Sequence, residues 1–332
     1  MLAKWWQAQE DNRVQCQLCP RNCIIAEDKK GFCQTRQNKK GKLHTLVYGY
    51  PSALNIDPIE KKPLFHFYPG SRVFSIGTIG CNLECQFCQN YQIARQNYVR
   101  KDREYLAPAE VVDLAVNNEC ESIAFTYNEP TVFGEYIIDI AEIARAQDLK
   151  TVIVSNGYIN PEPLREIYSL IDAANIDLKS SSGNFYSDIC HAEMEPVLRT
   201  IQELAKMDVF LEITNLIVSG YNDSENNVTD LLDWLYDHVG PEVPLHFSAF
   251  HPAYKMLNVP RTSKQALDNI RQIALDKGFL YVYEGNVMTT KYDNTYCPNC
   301  GELLIERQIF TVVKNNLKQP RCKCGQKINI KL

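Results

Sequence analysis

Three observations predict an α/β fold, a partial or complete (β/α) barrel flanked by two cysteine-rich ends. Between residues 71 and 286, short β-branched or aromatic runs alternate with polar-faced helical stretches. Conspicuous polar clusters fall just after those runs. Eleven of the 13 cysteines gather in three groups, and two of the groups lie outside the alternating region. The expected division is a Cys-rich extension carrying a metal site at 1–70, the barrel at 71–286, and a zinc-ribbon-like module at 287–332, its start marked by the polar stretch from about Met288.

The strands expected are Arg72–Ile76, Ser122–Thr126, Lys150–Val154, Ala174–Leu178, Val209–Ile217, Val243–Phe250 and Phe279–Glu284. Their near-continuous apolar character suits parallel strands buried on both faces. Helices are expected at Ala107–Glu119, Gly134–Asp148, Pro161–Ile171, Glu195–Met207, Ser224–His238 and Thr262–Lys277. Pro108 and Pro161 stand in first turns, and Gly278 closes the last helix. After the strands come Tyr127-Asn128-Glu129-Pro130, Ser155-Asn156-Gly157, Asp177-Leu178-Lys179, Ser219-Gly220, His251-Pro252 and Glu284-Gly285-Asn286. In a (β/α) barrel these positions share one mouth, where catalytic groups collect.

At 332 residues the chain is long enough for one large domain with appendages, and its mean hydropathy of −0.30 includes no apolar run of 18 residues. No membrane span is expected. The opening segment, Met1-Leu2-Ala3-Lys4-Trp5-Trp6-Gln7, lacks the long apolar region of a secretory signal, so a cytoplasmic location and metal-binding rather than disulfide-bonded cysteines are expected. Cys120 and Cys190 stand apart from the groups and read as core thiols. The net charge of −5 divides unevenly: residues 1–70 carry 11 Lys and Arg against 6 Asp and Glu, residues 285–332 carry 8 against 3, and the middle carries 16 against 31. Basic ends suit an acidic or RNA partner, but they equally offset the excess negative charge of tetrathiolate metal sites, which is the simpler account.

The most informative motif is Cys81-Asn82-Leu83-Glu84-Cys85-Gln86-Phe87-Cys88, a Cys-x3-Cys-x2-Cys spacing. A closed zinc site needs four ligands; a [4Fe–4S] cluster held by three leaves one iron open. Gly77 and Gly80 before it allow backbone to approach a sulfur closely. The alternative is a zinc knuckle with a distant fourth ligand. With Phe87 before the third cysteine, the segment resembles the signature loop of the radical S-adenosylmethionine (SAM, AdoMet) enzymes, whose free iron chelates the methionine moiety of AdoMet.

That resemblance implies roles for the other mouth residues. Phe87 presents an aromatic edge to adenine. Glu129 accepts from the AdoMet ammonium, in a position that reads Gly-Gly-Glu-Pro in most such enzymes and Tyr127-Asn128-Glu129-Pro130 here; Asn128 joins the cofactor-binding set. Lys179 pairs with the AdoMet carboxylate, while Ser155, Asn156 and Asp177 bond carboxylate or ribose hydroxyls. His251 is placed near the ribose or the substrate. His246, on the strand face shared with Ser248, reads as a satisfied interior histidine, and Glu284 as a substrate-side acid or base.

The outer groups carry their own signals. Cys297-x2-Cys300-Gly301 and Cys322-x-Cys324-Gly325 form a zinc-ribbon pattern, two turns each projecting two sulfurs toward one ion. Cys16-x2-Cys19-Pro20-x2-Cys23 with Cys33 suits zinc or a second Fe–S cluster, zinc being the first expectation.

Taken whole, with the N-terminal cysteine run, Asp57-Pro58-Ile59-Glu60-Lys61-Lys62-Pro63-Leu64-Phe65-His66, Cys88-Gln89-Asn90 and the ribbon, the chain resembles the radical SAM enzymes of the AmmeMemoRadiSam system, relatives of pyruvate formate-lyase activating enzyme. The resemblance implies reductive cleavage of AdoMet to a 5′-deoxyadenosyl radical that abstracts hydrogen from a substrate. It also implies a reducing partner such as flavodoxin or ferredoxin. Three alternatives stand beside it: an activase installing a glycyl radical on a partner protein, an RNA- or nucleotide-modifying enzyme, and a non-catalytic zinc-dependent scaffold.

Overall fold

The computed structural model describes residues 1–95, 104–287 and 291–332; Met288, expected near the last domain boundary, lies outside them. Three short strands, β1 (Trp6–Ala8), β2 (Val14–Cys16) and β3 (Ile24–Ile25), form one antiparallel sheet, and β4 (Arg36–Lys39) pairs with β5 (Lys42–Thr45). Next come β6 (Ala53–Pro58), β7 (Arg72–Gly77), β8 (Ser122–Phe125), β9 (Lys150–Ser155), β10 (Ala173–Asp177), β11 (Phe210–Ile217), β12 (Leu245–Ala249) and β13 (Val282–Gly285). They make one sheet in which β7 to β13 are parallel and follow chain order. The sheet has β6 and β13 at its two edges, so the barrel is partial.

Each parallel strand sits within three residues of its expected bounds at either end. The apolar runs that marked them are buried from both sides: Ile123, Phe125, Ile153, Ile176 and Ile213 are at most 1% exposed. The crossovers are α1 (Tyr91–Ala94), α2 (Pro108–Asn117), α3 (Gly134–Ala146), α4 (Pro161–Tyr168), α5 (Gly183–Phe185), α6 (Glu195–Leu204), α7 (Glu225–His238) and α8 (Lys264–Asp276). Ser224 and Ser263 cap α7 and α8 by accepting from the N–H groups of Asn227 and Ala266.

One difference concerns the boundary expected at residue 70. Strand β6 pairs antiparallel with β7 from Ala53↔Gly77 to Pro58↔Arg72, so part of the N-terminal extension belongs to the barrel sheet. Its Leu54 and Ile56 are exposed, which leaves no apolar run for the sequence to announce. The extension also shares the main core: Trp5, Val14, Leu18, Leu43 and Val47 pack in the same buried cluster as Ile76, Phe133 and Ile137.

Past β6, the chain turns under the barrel interior. The buried Glu212 carboxylate accepts from Phe65 N–H (3.1 Å) and His66 N–H (2.8 Å), and Asn175 donates to the Pro63 carbonyl (2.7 Å). The C-terminal strands β14 (Thr295–Tyr296), β15 (Leu303–Gln308) and β16 (Thr311–Asn315) form the ribbon sheet. It docks on this segment and on β13 through Phe65, Tyr283, Leu304, Ile305 and Ile328. Arg307, fully buried, donates to the Phe65 carbonyl (2.6 Å) and reaches Glu60 at 3.4 Å.

Candidate active site

A cavity of about 580 Å³ opens at the C-terminal ends of the parallel strands. Loops after β7, β8, β9 and β10 bring Cys81, Cys85, Phe87 and Cys88, then Asn128 and Glu129, then Asn156, and finally Asp177 and Lys179 to its wall. Six residue types suited to different tasks converge because parallel strands all end on the same side.

The cysteine loop is fixed from both flanks. Gly80 has φ +91°, and a Cβ there would overlap Thr35 and lie 2.6 Å from the Cys33 carbonyl, so only glycine fits. Asn128 accepts from Thr78 N–H (3.0 Å) and donates to the Gly80 carbonyl (2.8 Å), tying the second loop to the first. Leu83 N–H points at Cys81 Sγ (3.4 Å), as does the Asn156 amide (3.7 Å), which also bonds Asn82. Burial, then the Glu129 charge, pushes the Cys81 thiol well up; burial, then Cys85, pushes Cys88 to about 11. The π-type turn Tyr186–Cys190 brings the Cys190 thiol against Cys85, and that hydrogen bond, with burial, raises the Cys85 thiol. Cys190 is thus a neighbour of the cysteine loop as well as a core thiol, a contact made by tertiary packing rather than by any sequence spacing.

Glu129 is 2% exposed and accepts four hydrogen bonds. Its Oε1 takes Thr131 N–H (2.9 Å), Thr131 Oγ1 (2.7 Å) and Ser155 Oγ (2.7 Å); its Oε2 takes Asn156 N–H (2.9 Å). Burial raises its pKa while these bonds oppose the rise. Oε1 is filled and Oε2 keeps room for one more donor. Ser155 does not reach the cavity wall; it stands behind Glu129 and orients it.

Lys179 pairs with Asp177 at 2.7 Å and lies 5.8 Å over the Phe87 ring. Burial pulls its pKa down, but the Asp177 and Cys85 charges more than offset that, and the ammonium stays charged. Tyr127 holds φ +73°, a backbone conformation that favours glycine. It is pinned by its hydroxyl on Asp57 (2.7 Å), by Asn55 (3.0 Å), by Lys62 4.9 Å over its ring, and by Asn90 donating to its carbonyl (2.6 Å). The tyrosine is thereby held in a conformation that glycine adopts more readily, with Asp57 and Asn55 of β6 offsetting the strain.

A second cavity, about 420 Å³, adjoins the first and shares Lys61, Pro63, Ser248 and Asn286 with it. His251 borders this one, bonded to the Asn286 carbonyl (3.0 Å), and stands apart from the cysteine-lined cavity. His246 is interior and satisfied by Glu212 (2.6 Å). Glu284, expected to face substrate, is among the residues lining this second cavity and pairs across the sheet with Phe247; its carboxylate lies 3.8 Å from Lys264, and burial raises its pKa to about 7.

In the ribbon, Cys297, Cys300, Cys322 and Cys324 present four sulfurs within 4.8 Å of one another, two pairs at 3.6 and 3.7 Å. Gly301 (φ +72°) and Gly325 (φ +95°) make the turns, donating to the Cys297 and Cys322 carbonyls at 2.9 Å. Among the described residues, no other group of metal-ligating atoms is so tight. Cys81, Cys85 and Cys88 line one cavity without forming such a compact group, and three thiolates, each on its own iron, fit a cluster with one iron left open.

Open barrel, three-cysteine loop and polar mouth define an enzyme of the AdoMet-radical class. The sequence profile of the radical SAM superfamily matches residues 75–235, and the chain belongs to that superfamily. An uncharacterized protein of Methanocaldococcus jannaschii is 44% identical over 99% of both chains. The 4-hydroxyphenylacetate decarboxylase activating enzyme of Clostridioides difficile is 21% identical, over 61% of this chain and 70% of that one. The 7-carboxy-7-deazaguanine synthase of M. jannaschii is 26% identical, over 50% and 72%. The scaffold alternative falls with this membership. Among the described residues, no helix is long and apolar enough to cross a membrane.

Proposed function

We propose that Cys81, Cys85 and Cys88 hold a [4Fe–4S] cluster, that AdoMet binds beside it in the 580 Å³ cavity, and that a substrate in the adjoining cavity loses a hydrogen atom. The bound pair supplies reductive cleavage of a sulfonium and a 5′-deoxyadenosyl radical. The chain's own residues bind and orient. Glu129 Oε2 takes the ammonium at its remaining acceptor position, and Lys179 takes the carboxylate as a point charge. Asn156 and Asp177 reach carboxylate or ribose hydroxyls, and Phe87 lies along the adenine. Asn128 and Ser155 position the loop and Glu129. His251 belongs to the substrate side. The ribbon cysteines hold one Zn²⁺ in a closed tetrahedron with no open position, and an external flavodoxin- or ferredoxin-type protein donates the electron.

The observation that carries this reading is the convergence of three cysteines, one carboxylate with a spare acceptor site and one partly buried ammonium on a single cavity. Anaerobically reconstituted protein given AdoMet and a strong reductant should form 5′-deoxyadenosine, and the triple Cys81→Ala, Cys85→Ala, Cys88→Ala variant should form none. Equal product from that variant would end the assignment.

A second reading has its own support. Ile309 (52% exposed) and Phe310 (39%) sit at the tip of the β15–β16 hairpin and border the substrate cavity, an apolar rim suited to a protein partner. With the similarity to an activating enzyme, it favours a hydrogen abstracted from a protein over one taken from RNA. Radical transfer to a co-purifying partner, seen by EPR, is its test.

A further inference from the structure

We infer that Cys16, Cys19, Cys23 and Cys33 hold a second [4Fe–4S] cluster, in electronic contact with the first, rather than a zinc ion. The ribbon supplies the internal comparison. Its four sulfurs close to within 4.8 Å, whereas the N-terminal four do not form such a compact ion-holding group. The four instead wall an enclosed space with Leu18, Ile25, Val132 and Arg36. About 10 Å³ at its centre admits a water-sized sphere. A zinc ion draws its thiolates to ~2.3 Å and gathers them into a group as compact as the ribbon's, which the N-terminal four do not form. Thiolates bound to the corners of a cube stand back from its centre in this way.

Arg36 is the second, independent observation. It is 1% exposed, its guanidinium is paired with buried Glu135 (2.7 Å), and its Nε–H is buried with no hydrogen-bond partner. It borders the space and feels the charges of Cys16 and Cys33. A sulfide or cysteine sulfur there would take that orphan donor. Thr35 Oγ1 already stands 3.2 Å from Cys33 Sγ.

The place of the site gives it a task. The Cys33 carbonyl and Thr35 pack on Gly80, one residue before Cys81, and Arg21 donates to the Asn82 carbonyl (2.5 Å) from between Cys19 and Cys23. The two ligand loops therefore touch. One electron from a low-potential flavodoxin- or ferredoxin-type donor reduces the second cluster by one unit of charge and then passes to the first, with no bond made or broken.

Full-length protein, reconstituted anaerobically with iron and sulfide in the presence of zinc, should hold about eight irons and about one zinc per chain. About four irons and two zincs would overturn the proposal, and would leave the proposed function standing if 5′-deoxyadenosine still formed. The Cys81→Ala, Cys85→Ala, Cys88→Ala variant should retain half the iron and give an EPR signal on reduction. The Cys19→Ser, Cys33→Ser variant should lose that signal and keep the signal that AdoMet perturbs. With both clusters reduced, wild-type lines should be broader than the sum of the two variants' spectra; a plain sum refutes electronic contact. Should either variant fail to fold, wild-type metal content decides.

Discussion

Replacing Glu129 with Gln removes one charge and turns one acceptor oxygen into a donor amide, with almost no change of shape. Oε1 faces three donors and Oε2 one, so the amide nitrogen takes the Oε2 position and meets only Asn156 N–H. That leaves one buried N–H unpaired, at about 1–3 kcal/mol of stability. It also puts a donor where the AdoMet ammonium is to be received, so the charge-assisted bond, worth about 1.5–3 kcal/mol, is lost outright. Affinity should fall about 10- to 150-fold. Ser155→Ala is the control: Oε1 keeps two donors, the stability loss is about 1 kcal/mol, and AdoMet affinity changes less than about threefold. Isothermal titration of reconstituted protein, with urea denaturation in parallel, reads both quantities. A Gln variant that loses stability yet binds AdoMet as wild type would refute the placement of the ammonium on Oε2.

Lys179→Ala should weaken AdoMet by a similar 10- to 150-fold while the iron content holds, measured by titration and metal analysis. Arg307→Met leaves Glu60 buried and uncompensated and should cost about 3–5 kcal/mol in urea melts, most of it recovered by adding Glu60→Gln. His66, bonded to the Asn329 carbonyl (2.6 Å) and to Tyr283, has its pKa lowered to about 4 by burial. The unfolded chain therefore takes up the proton first, so this stability is complete above about pH 6.5 and is lost as the pH falls toward 4. At pH 5 the loss is about 2 kcal/mol, and His66→Gln should flatten the pH dependence of the melt. Cys297→Ala with Cys322→Ala should release one equivalent of zinc and loosen the ribbon without removing iron, read by metal analysis and hydrogen exchange.

The parallel strands and their crossovers were legible because burial on both faces demands apolar runs such as Ser122–Phe125, and one-sided burial demands the helical period of Glu195–Leu204. Strand β6 was not, since Ala53–Pro58 is an edge with two exposed aliphatics and earns its place through Asp57 and Asn55. At the site, the residue types and their post-strand positions gave Cys81, Glu129, Asn156 and Lys179 directly. What they could not give was depth. Ser155 lies one residue from Asn156, yet one faces Glu129 and the other the cavity. Glu284 shares its register position with Phe247 yet still borders the second cavity, while Tyr283 stacks beside His246, a placement that residue type alone does not give.

The anchoring of Arg307 on Glu60 joins residues 247 apart in sequence, and His66 meets Asn329 across 263. A ribosome exposes the Asp57–Phe67 segment, which steadies Tyr127 through Asp57, long before it exposes residues 293–331 that hold the segment from the other side. During synthesis the barrel mouth thus exists for a time with one wall unbraced. Iron delivered at that stage would meet a loose cysteine loop beside a mobile Tyr127. The order of assembly favours metal loading after release, with the ribbon acting as the latch that closes a nearly finished barrel.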